Sequence, residues 1–298
     1  MNHPNTPIDL TLLPAPQVIE PLDFEIIFGS MLADLQARDP TFSALLESDP
    51  AFKILQVCAY RELLLRERVN SAARAVMLAY ATDTDLDQIA ANYGVARLVV
   101  TPANPAATPP TDAVYEADDD FRARVLLSLE SYTTAGSRGA YKYHALSVSG
   151  AIKDVGVSSL APGTVNVAVL THTGSGAASA PILAAVTLAL SADTVRPLCD
   201  TVVVQSAEVV SYSVDATLDV YPGAGQAAIE AAALAALDAY TAAQHRMGLG
   251  ASRSGIIAAL HRSGVHRVTL TTPAADVDCT WAQAAWCTGR ALTLQEIA

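Results

Sequence analysis

Three groups of residues in this chain have types and spacings that could do chemistry. Asp118, Asp119 and Asp120 are adjacent carboxylates, a set able to hold a divalent cation. Asp83, Asp85 and Asp87 alternate like the opening of a calcium loop. Gly174-Ser175-Gly176 stands between a predicted strand and a predicted helix, where phosphate loops occur. Each fails on its own terms. A calcium loop needs Gly at its sixth position and Glu at its twelfth, and Gln88 and Gly94 stand there. The Gly174 loop has neither the Lys-Ser/Thr of a P-loop nor GxGxxG spacing. The three aspartates open a predicted helix, whose positive N-terminal end favours carboxylates without any metal. The histidines (His3, His144, His172, His245, His261, His266) form no HExxH or HxxxH pair, and His261 and His266 diverge across Gly264. There is no GxSxG elbow. Cys58, Cys199, Cys279 and Cys287 make no CxxC, and read as reduced, small apolar residues. These residues imply no catalytic site, no cofactor and no metal.

The elements around them carry more information. Residues 1–20, with Pro4, Pro7, Pro14 and Pro16, read as an extended arm. Phe24, Ile27, Phe28, Met31, Leu32 and Leu35 then follow helical spacing up to Pro40. A short helix is predicted over 41–47. Residues 51–80 contain neither Gly nor Pro and predict one long helix. On it Leu65, Val69, Ala72, Val76 and Ala79 alternate by four and three, a heptad-like stripe that Ile54 and Cys58 extend upstream. Two readings stand, the spine of a bundle within the chain or a seam completed in part by other chains. The neighbouring helices are short and bounded by proline and offer little to cover so long a seam, which favours the second slightly. A further helix begins near Asp83 and ends at Gly94. The Pro/Ala/Thr stretch 101–111 reads as a hinge. Helices are expected from Asp118 towards Gly136 and from Arg138 to Ser147.

Beyond Gly150 the apolar period changes from helical to two. Ile152, Val155 and Val157 suggest one strand. Val165, Val167 and Val169 alternate with Asn166 and Ala168 as a half-buried second. A helix over 180–190 and a strand over 201–205 complete a ββαβ unit. The scheme repeats with a strand over 209–220, helices over 227–246 and 252–262, and a strand over 265–271, while Trp281 and Trp286 pack a final strand or hairpin. The fold class is therefore α+β and multidomain: an N-terminal helical bundle region followed by two small α/β units with helices packed on antiparallel or mixed sheets. Divisions are expected at 1–20 (arm), 21–100 (helical region), 101–150 (hinge and helices), 151–208 (middle α/β domain) and 209–298 (C-terminal α/β domain).

Bulk properties exclude several functions. The net charge is −12; residues 1–130 hold 19 acids against 9 bases, a net of −10, and 131–298 hold 11 against 9, a net of −2. Nucleic acid and anionic membrane surfaces are both recognised through clustered Lys and Arg, and no such cluster exists. The N-terminus has no signal-peptide pattern, and no apolar stretch is long enough to cross a bilayer, so a cytoplasmic origin is expected. On the residues alone a small-molecule enzyme using Asp118–Asp120 or the Gly174 loop, and an adaptor binding one partner through the long helix, both stay open.

Four stretches together resemble the baseplate J-like family, wedge proteins of contractile-tailed phages and phage-tail-like particles. They are Asp49-Pro50 with the helix containing Arg61-Glu-Leu-Leu-Leu-Arg-Glu-Arg-Val-Asn; Ala81-Thr-Asp-Thr-Asp-Leu-Asp-Gln-Ile-Ala-Ala-Asn-Tyr-Gly-Val-Ala-Arg; Pro162-Gly-Thr-Val-Asn-Val with the later Val195-Arg-Pro-Leu-Cys-Asp-Thr-Val; and Gly250-Ala-Ser-Arg-Ser-Gly-Ile-Ile-Ala-Ala-Leu-His-Arg-Ser-Gly-Val. Cys199 departs from the small hydroxyl residue usual in the third. The resemblance implies a structural wedge subunit without enzymatic activity or cofactor. Two copies would share a bundle of N-terminal helices with a smaller wedge protein, and the C-terminal domain would join wedges into a ring around the hub, next to sheath proteins. It also implies a place in the virion tail baseplate, assembled in the bacterial cytoplasm. Phe24, Ile27, Phe28, Leu32, Leu65, Val69, Ala72 and Val76 are the expected interface residues.

Overall fold

A computed structural model describes Leu10, Leu13, Pro14 and residues 16–132, 136–223 and 225–297. The chain divides into two compact units, a helical one within Thr6–Ala96 and an α/β one beginning at Arg97.

In the helical unit, α1 (Phe24–Arg38) starts where the Asp23 carboxylate accepts from the N–H of Glu25 at 2.7 Å and of Ile26 at 3.2 Å. It stops at Asp39, whose extended backbone is what a residue before proline requires. The helix expected over 41–47 is only a 3-10 turn, Pro40–Phe42. Here Asp39 accepts from Thr41 N–H (3.0 Å) and Asp49 from Leu46 N–H (2.8 Å), side-chain bonds that compete with a helical ladder. The long helix α2 (Pro50–Ala75) has proline in its first turn, where no N–H is missed. Its 26 residues span about 39 Å. It ends five residues short of Tyr80, because Met77 N–H turns back to Arg74 and Ala81 N–H to Met77, burying Ala81. Finally, α3 (Asp83–Ala91) buries Leu86 and Ala90, and the chain leaves it through Gly94 at φ +68.

Of the arm expected over 1–20, Pro4 and Pro7 lie outside the described residues, but its end is fastened. Buried Asn70 of α2 accepts from Glu20 N–H at 3.1 Å and donates to Glu20 C=O at 2.9 Å.

The α/β unit opens with a finger. Strands β1 (Val99–Thr101) and β2 (Val114–Tyr115) pair antiparallel, and Asn104 and Thr111 exchange two backbone bonds at 2.9 and 3.1 Å. The Pro-rich stretch that reads as a hinge is thus closed on itself. Its base is a buried bidentate pair: the Arg124 guanidinium donates to both oxygens of Glu116, at 3.0 and 2.7 Å. Arg124 belongs to α4 (Asp118–Leu127), which passes into a 3-10 segment at Ser128–Tyr132 instead of running on towards Gly136. Ser137 then caps α5 (Arg138–Leu146) by accepting from Ala140 N–H at 3.1 Å.

The middle sheet has the order β3 (Ile152–Ala161), β4 (Thr164–Thr171), β5 (Thr201–Ser206), with β4 and β5 parallel across α6 (Ala180–Leu190). Val167 and Val169 face a core completed by Tyr141, Ala145, Val186 and Leu190. The expected half-exposed alternation of β4 fails at its end. Ala168 and Leu170 are fully buried, because the second sheet face is covered: Leu170 packs with Ala207, Ala284 and Met247.

The C-terminal sheet has β6 (Glu208–Val220) at its centre, antiparallel to β7 (Val265–Thr272) and parallel to β8 (Gln283–Glu296). Helices α7 (Gln226–Gln244) and α8 (Arg253–Leu260) supply Ile229, Ala233, Leu237, Ile256 and Leu260 to its core. The final strand is 14 residues long and contains Trp286, while Trp281 lies just before it.

Candidate protein interface

The interface residues expected from the sequence fall into two sets with different surroundings. Ile27 and Phe28 are buried, packed with Phe24, Met31 and Leu32 of α1 against Phe52, Leu55, Ala59 and Leu63 of α2. The Phe28 and Phe52 rings meet edge-on at 4.8 Å. These contacts hold α1 to α2 and are made within the chain. The stripe on α2 is the opposite case: Leu65 is 68 % exposed, Val69 60 % and Val76, at the helix's C-cap, 75 %, and Ala72, Cys58 and Ile54 are exposed with them. Ala79 of the expected stripe lies beyond the helix. At ~100° per residue the stripe lies about 120° around the helix from the face that holds α1. Sequence reasoning missed Val57, Tyr60 and Leu64, which are also exposed and form a further apolar face about 120° around the helix from the stripe, beyond the exposed Arg61 and Arg68. The signal was there, since Val57 and Leu64 are seven residues apart.

A run of exposed large apolar side chains along one helix marks a candidate interaction surface. At about 25 cal/mol per Å², Leu65, Val69 and Val76, already partly covered, would each gain roughly 1–2 kcal/mol on full burial. The polar residues of α2 are mostly satisfied locally: Arg66 pairs with Glu62 at 2.5 Å and Glu20 at 3.4 Å, and Arg74 with Glu67 at 3.3 Å.

The groups weighed as chemical sites have structural occupations. Asp118 pairs with Arg97 at 2.7 Å, Asp119 with Arg122 at 2.6 Å, and Asp120 faces His172 at 3.5 Å, so the three carboxylates do not converge. Burial raises the Asp120 carboxyl above its ordinary value, with His172, Arg246 and Lys153 opposing that shift. In the Gly174 loop, Gly176 has φ +93 and closes against Leu170 and the His245 ring. His245 itself is buried, its Nδ1 2.8 Å from Ala285 C=O and its ring 4.9 Å from that of Trp286. Among the described residues no group of three or more His, Cys, Asp or Glu could hold a metal ion, and no helix is long and apolar enough to cross a membrane.

Two of the motifs quoted from the sequence likewise resolve into fold-fixing contacts. In Val195-Arg-Pro-Leu-Cys-Asp, Asp200 accepts from the Tyr141 hydroxyl at 2.8 Å and Arg196 donates to Asp200 C=O at 3.1 Å. Burial, reinforced by that carboxylate, pushes the Tyr141 phenol well up. In Gly250-Ala-Ser-Arg-Ser-Gly, Ser252 caps α8, Arg253 donates to Leu270 C=O at 3.0 Å and to Pro273 C=O, and Gly250 fits against Val277 with no room for a side chain.

Three consecutive domain families match the chain in this order: the Baseplate J-like N-terminal domain over residues 47–104, the central domain over 133–206 and the C-terminal domain over 212–289. A curated relative, Baseplate protein J of Escherichia phage P2, is 47% identical over 288 residues, which is 94% of this chain and 95% of that protein. The chain belongs to the baseplate J-like family. It is accordingly a structural protein of the bacteriophage baseplate. Seen on the fold, the N-terminal match covers α2, α3 and β1, and the other two cover the two sheets with their helices. The exposed stripe of α2 therefore lies inside the first baseplate J-like match.

Proposed function

We propose that this baseplate J-like protein is a wedge subunit of a contractile injection system and acts by binding other proteins. Its α2 stripe, centred on Leu65, Val69, Ala72 and Val76, enters a helical bundle shared with a second copy of the chain and a smaller wedge protein. Phe24, Ile27, Phe28 and Leu32 serve the same bundle by holding α1 and α2 together as one unit. The C-terminal α/β domain joins wedges into a ring around the hub, beside the sheath. The subunit assembles in the host cytoplasm and works in the tail baseplate without a cofactor, nucleic acid or membrane.

The observation that carries this reading is the run of exposed apolar side chains along one face of α2, inside a domain matched to baseplate proteins. Cys58 lies on that face and is exposed in the isolated chain, so it reports the surface directly. In a Cys199→Ser background, Cys58 should react quickly with a small maleimide in the purified chain and become strongly protected in the assembled baseplate. Equal labelling rates in both states would remove α2 from the interface.

A further inference from the structure

We infer that the helix received on one flank of the α2 stripe belongs to a different protein and presents carboxylates one heptad apart, opposite Arg61 and Arg68. The inference rests on the reading of α2 as an inter-chain seam and names the chemistry of one occupant. With Leu65 and Ala72 at one seam position and Val69 and Val76 at the other, Arg61 and Arg68 fall seven residues apart on the same flank, each four residues before a seam residue. Both are exposed. The other arginines of the helical unit have acids of their own: Arg38 has Asp34 at 2.9 Å, Arg66 has Glu62 at 2.5 Å and Arg74 has Glu67 at 3.3 Å. Among the described residues, no carboxylate is within ion-pair distance of Arg61 or Arg68. Two unanswered cations at heptad spacing stand out on a half-chain that carries 19 acids against 9 bases.

Flanking charges of a helical seam set which partner is accepted and in what orientation. A second copy of α2 is a poor match on this flank in either direction. Packed parallel and in register, Arg61 would face the opposite flank of its copy, where Arg66 stands. Packed antiparallel, the two like flanks would meet and set Arg61 and Arg68 against each other. The antiparallel arrangement juxtaposes like charges, which disfavours a wrong partner, and the parallel one meets Arg66, whose acids Glu62 and Glu20 are already engaged. A helix with Glu or Asp at successive flanking positions turns the same two residues into attractive contacts. The flank therefore selects the foreign helix and leaves the other side of the stripe for the second copy.

The test uses Arg61→Lys and Arg68→Lys in assembled baseplates, with a zero-length carbodiimide that joins amines to carboxylates in direct contact. Amide links from both introduced amines to Asp or Glu side chains seven residues apart in one other protein are expected. Links only to a second copy of this chain, or no inter-chain links, would overturn the inference. Arg61→Glu with Arg68→Glu should lower incorporation into baseplates by about tenfold against wild type, while the lysine pair incorporates normally. Maleimide protection of Cys58 separates the two levels. A protected Cys58 without foreign amide links sinks this inference and leaves the interface standing; an unprotected Cys58 sinks both.

Discussion

Helices α2 and α7 are the two longest in the chain, 26 and 19 residues, and they dispose their apolar side chains in opposite ways. On α7, Ile229, Ala233 and Leu237 point into the core, and its exposed positions are Ala, Gln and Asp. On α2 the only fully buried residues are Ala59 and Asn70, while Ile54, Val57, Leu64, Leu65 and Val69 face outward. The arrangement of α7 is met within one chain: Ile229, Leu237 and Tyr240 pack into the C-terminal core, and alanine makes up most of the outside. That of α2 leaves a row of large apolar side chains uncovered within the chain. The difference separates the scaffold from the surface proposed above to bind partners, and it does so without reference to any catalytic group.

The comparison can be broken first at the stripe. Leu65→Asp with Val69→Asp should abolish co-purification with the partner wedge protein. The far-UV circular dichroism and melting temperature of the isolated chain should barely move, since surface substitutions usually fall within about 0.5 kcal/mol. Retained binding in a pull-down would remove both residues from the seam.

Leu237→Ala on α7 should do the reverse. Leu237 is fully buried, so the change should cost about 2–5 kcal/mol of stability in urea unfolding, and binding through α2 should persist wherever the chain is folded. A smaller effect is expected at Asn70→Ala, the one change on α2 that acts inside the chain. It leaves the Glu20 N–H and C=O without their partner, should cost about 1–3 kcal/mol, and should speed hydrogen exchange at the Glu20 amide.

The smallest effect concerns pH. Burial holds His245 below its ordinary 6.5; Lys153 and His172 act in the same direction, and the bond to Ala285 C=O opposes them. Arg246 follows it in sequence, while Asp154 accepts from Met247 N–H at 3.0 Å and Asp120 faces His172 at 3.5 Å. Because the folded value is depressed, the unfolded chain binds more protons just below 6.5. This contribution is complete above 6.5 and is lost as pH falls towards the folded value. Unfolding of the wild type should therefore lose midpoint, as pH falls below 6.5, faster than that of His245→Gln does. Parallel curves would show that His245 does not contribute. α2 carries no comparable buried titratable group among its described residues.

Much of the framework is legible in the residues themselves. The expected helix 180–190 is found as Ala180–Leu190, because a Pro in its first turn and Ser191 at its end bound a run of strong helix formers. The strand pattern of Val165, Val167 and Val169 and the cap at Ser137 were equally visible. The 14-residue β8 was not, since Ala284, Ala285, Cys287 and Gly289 have weak strand preference. It exists because β6 offers it a parallel edge from Glu208 to Val220, with α7, α8 and β7 intervening in sequence. The Pro-rich 101–111 likewise reads as flexible, and only the Asn104–Thr111 pairing and the Glu116–Arg124 pair at its base make it a finger.

By itself, the amino-acid sequence determined that α2 is long, apolar along a heptad-like stripe and free of catalytic company, because periodicity, proline placement and motif spacing are local properties. It could not determine which apolar positions are already used. α2 is apolar on more than one face, and no local preference ranks one face over another. The docking of Phe28 against Phe52, Leu55, Ala59 and Leu63 decided that, covering one face with α1 and leaving Leu65, Val69, Ala72 and Val76 outside. Which face of a helix is core is a property of its neighbours, and those are assigned only by the tertiary fold.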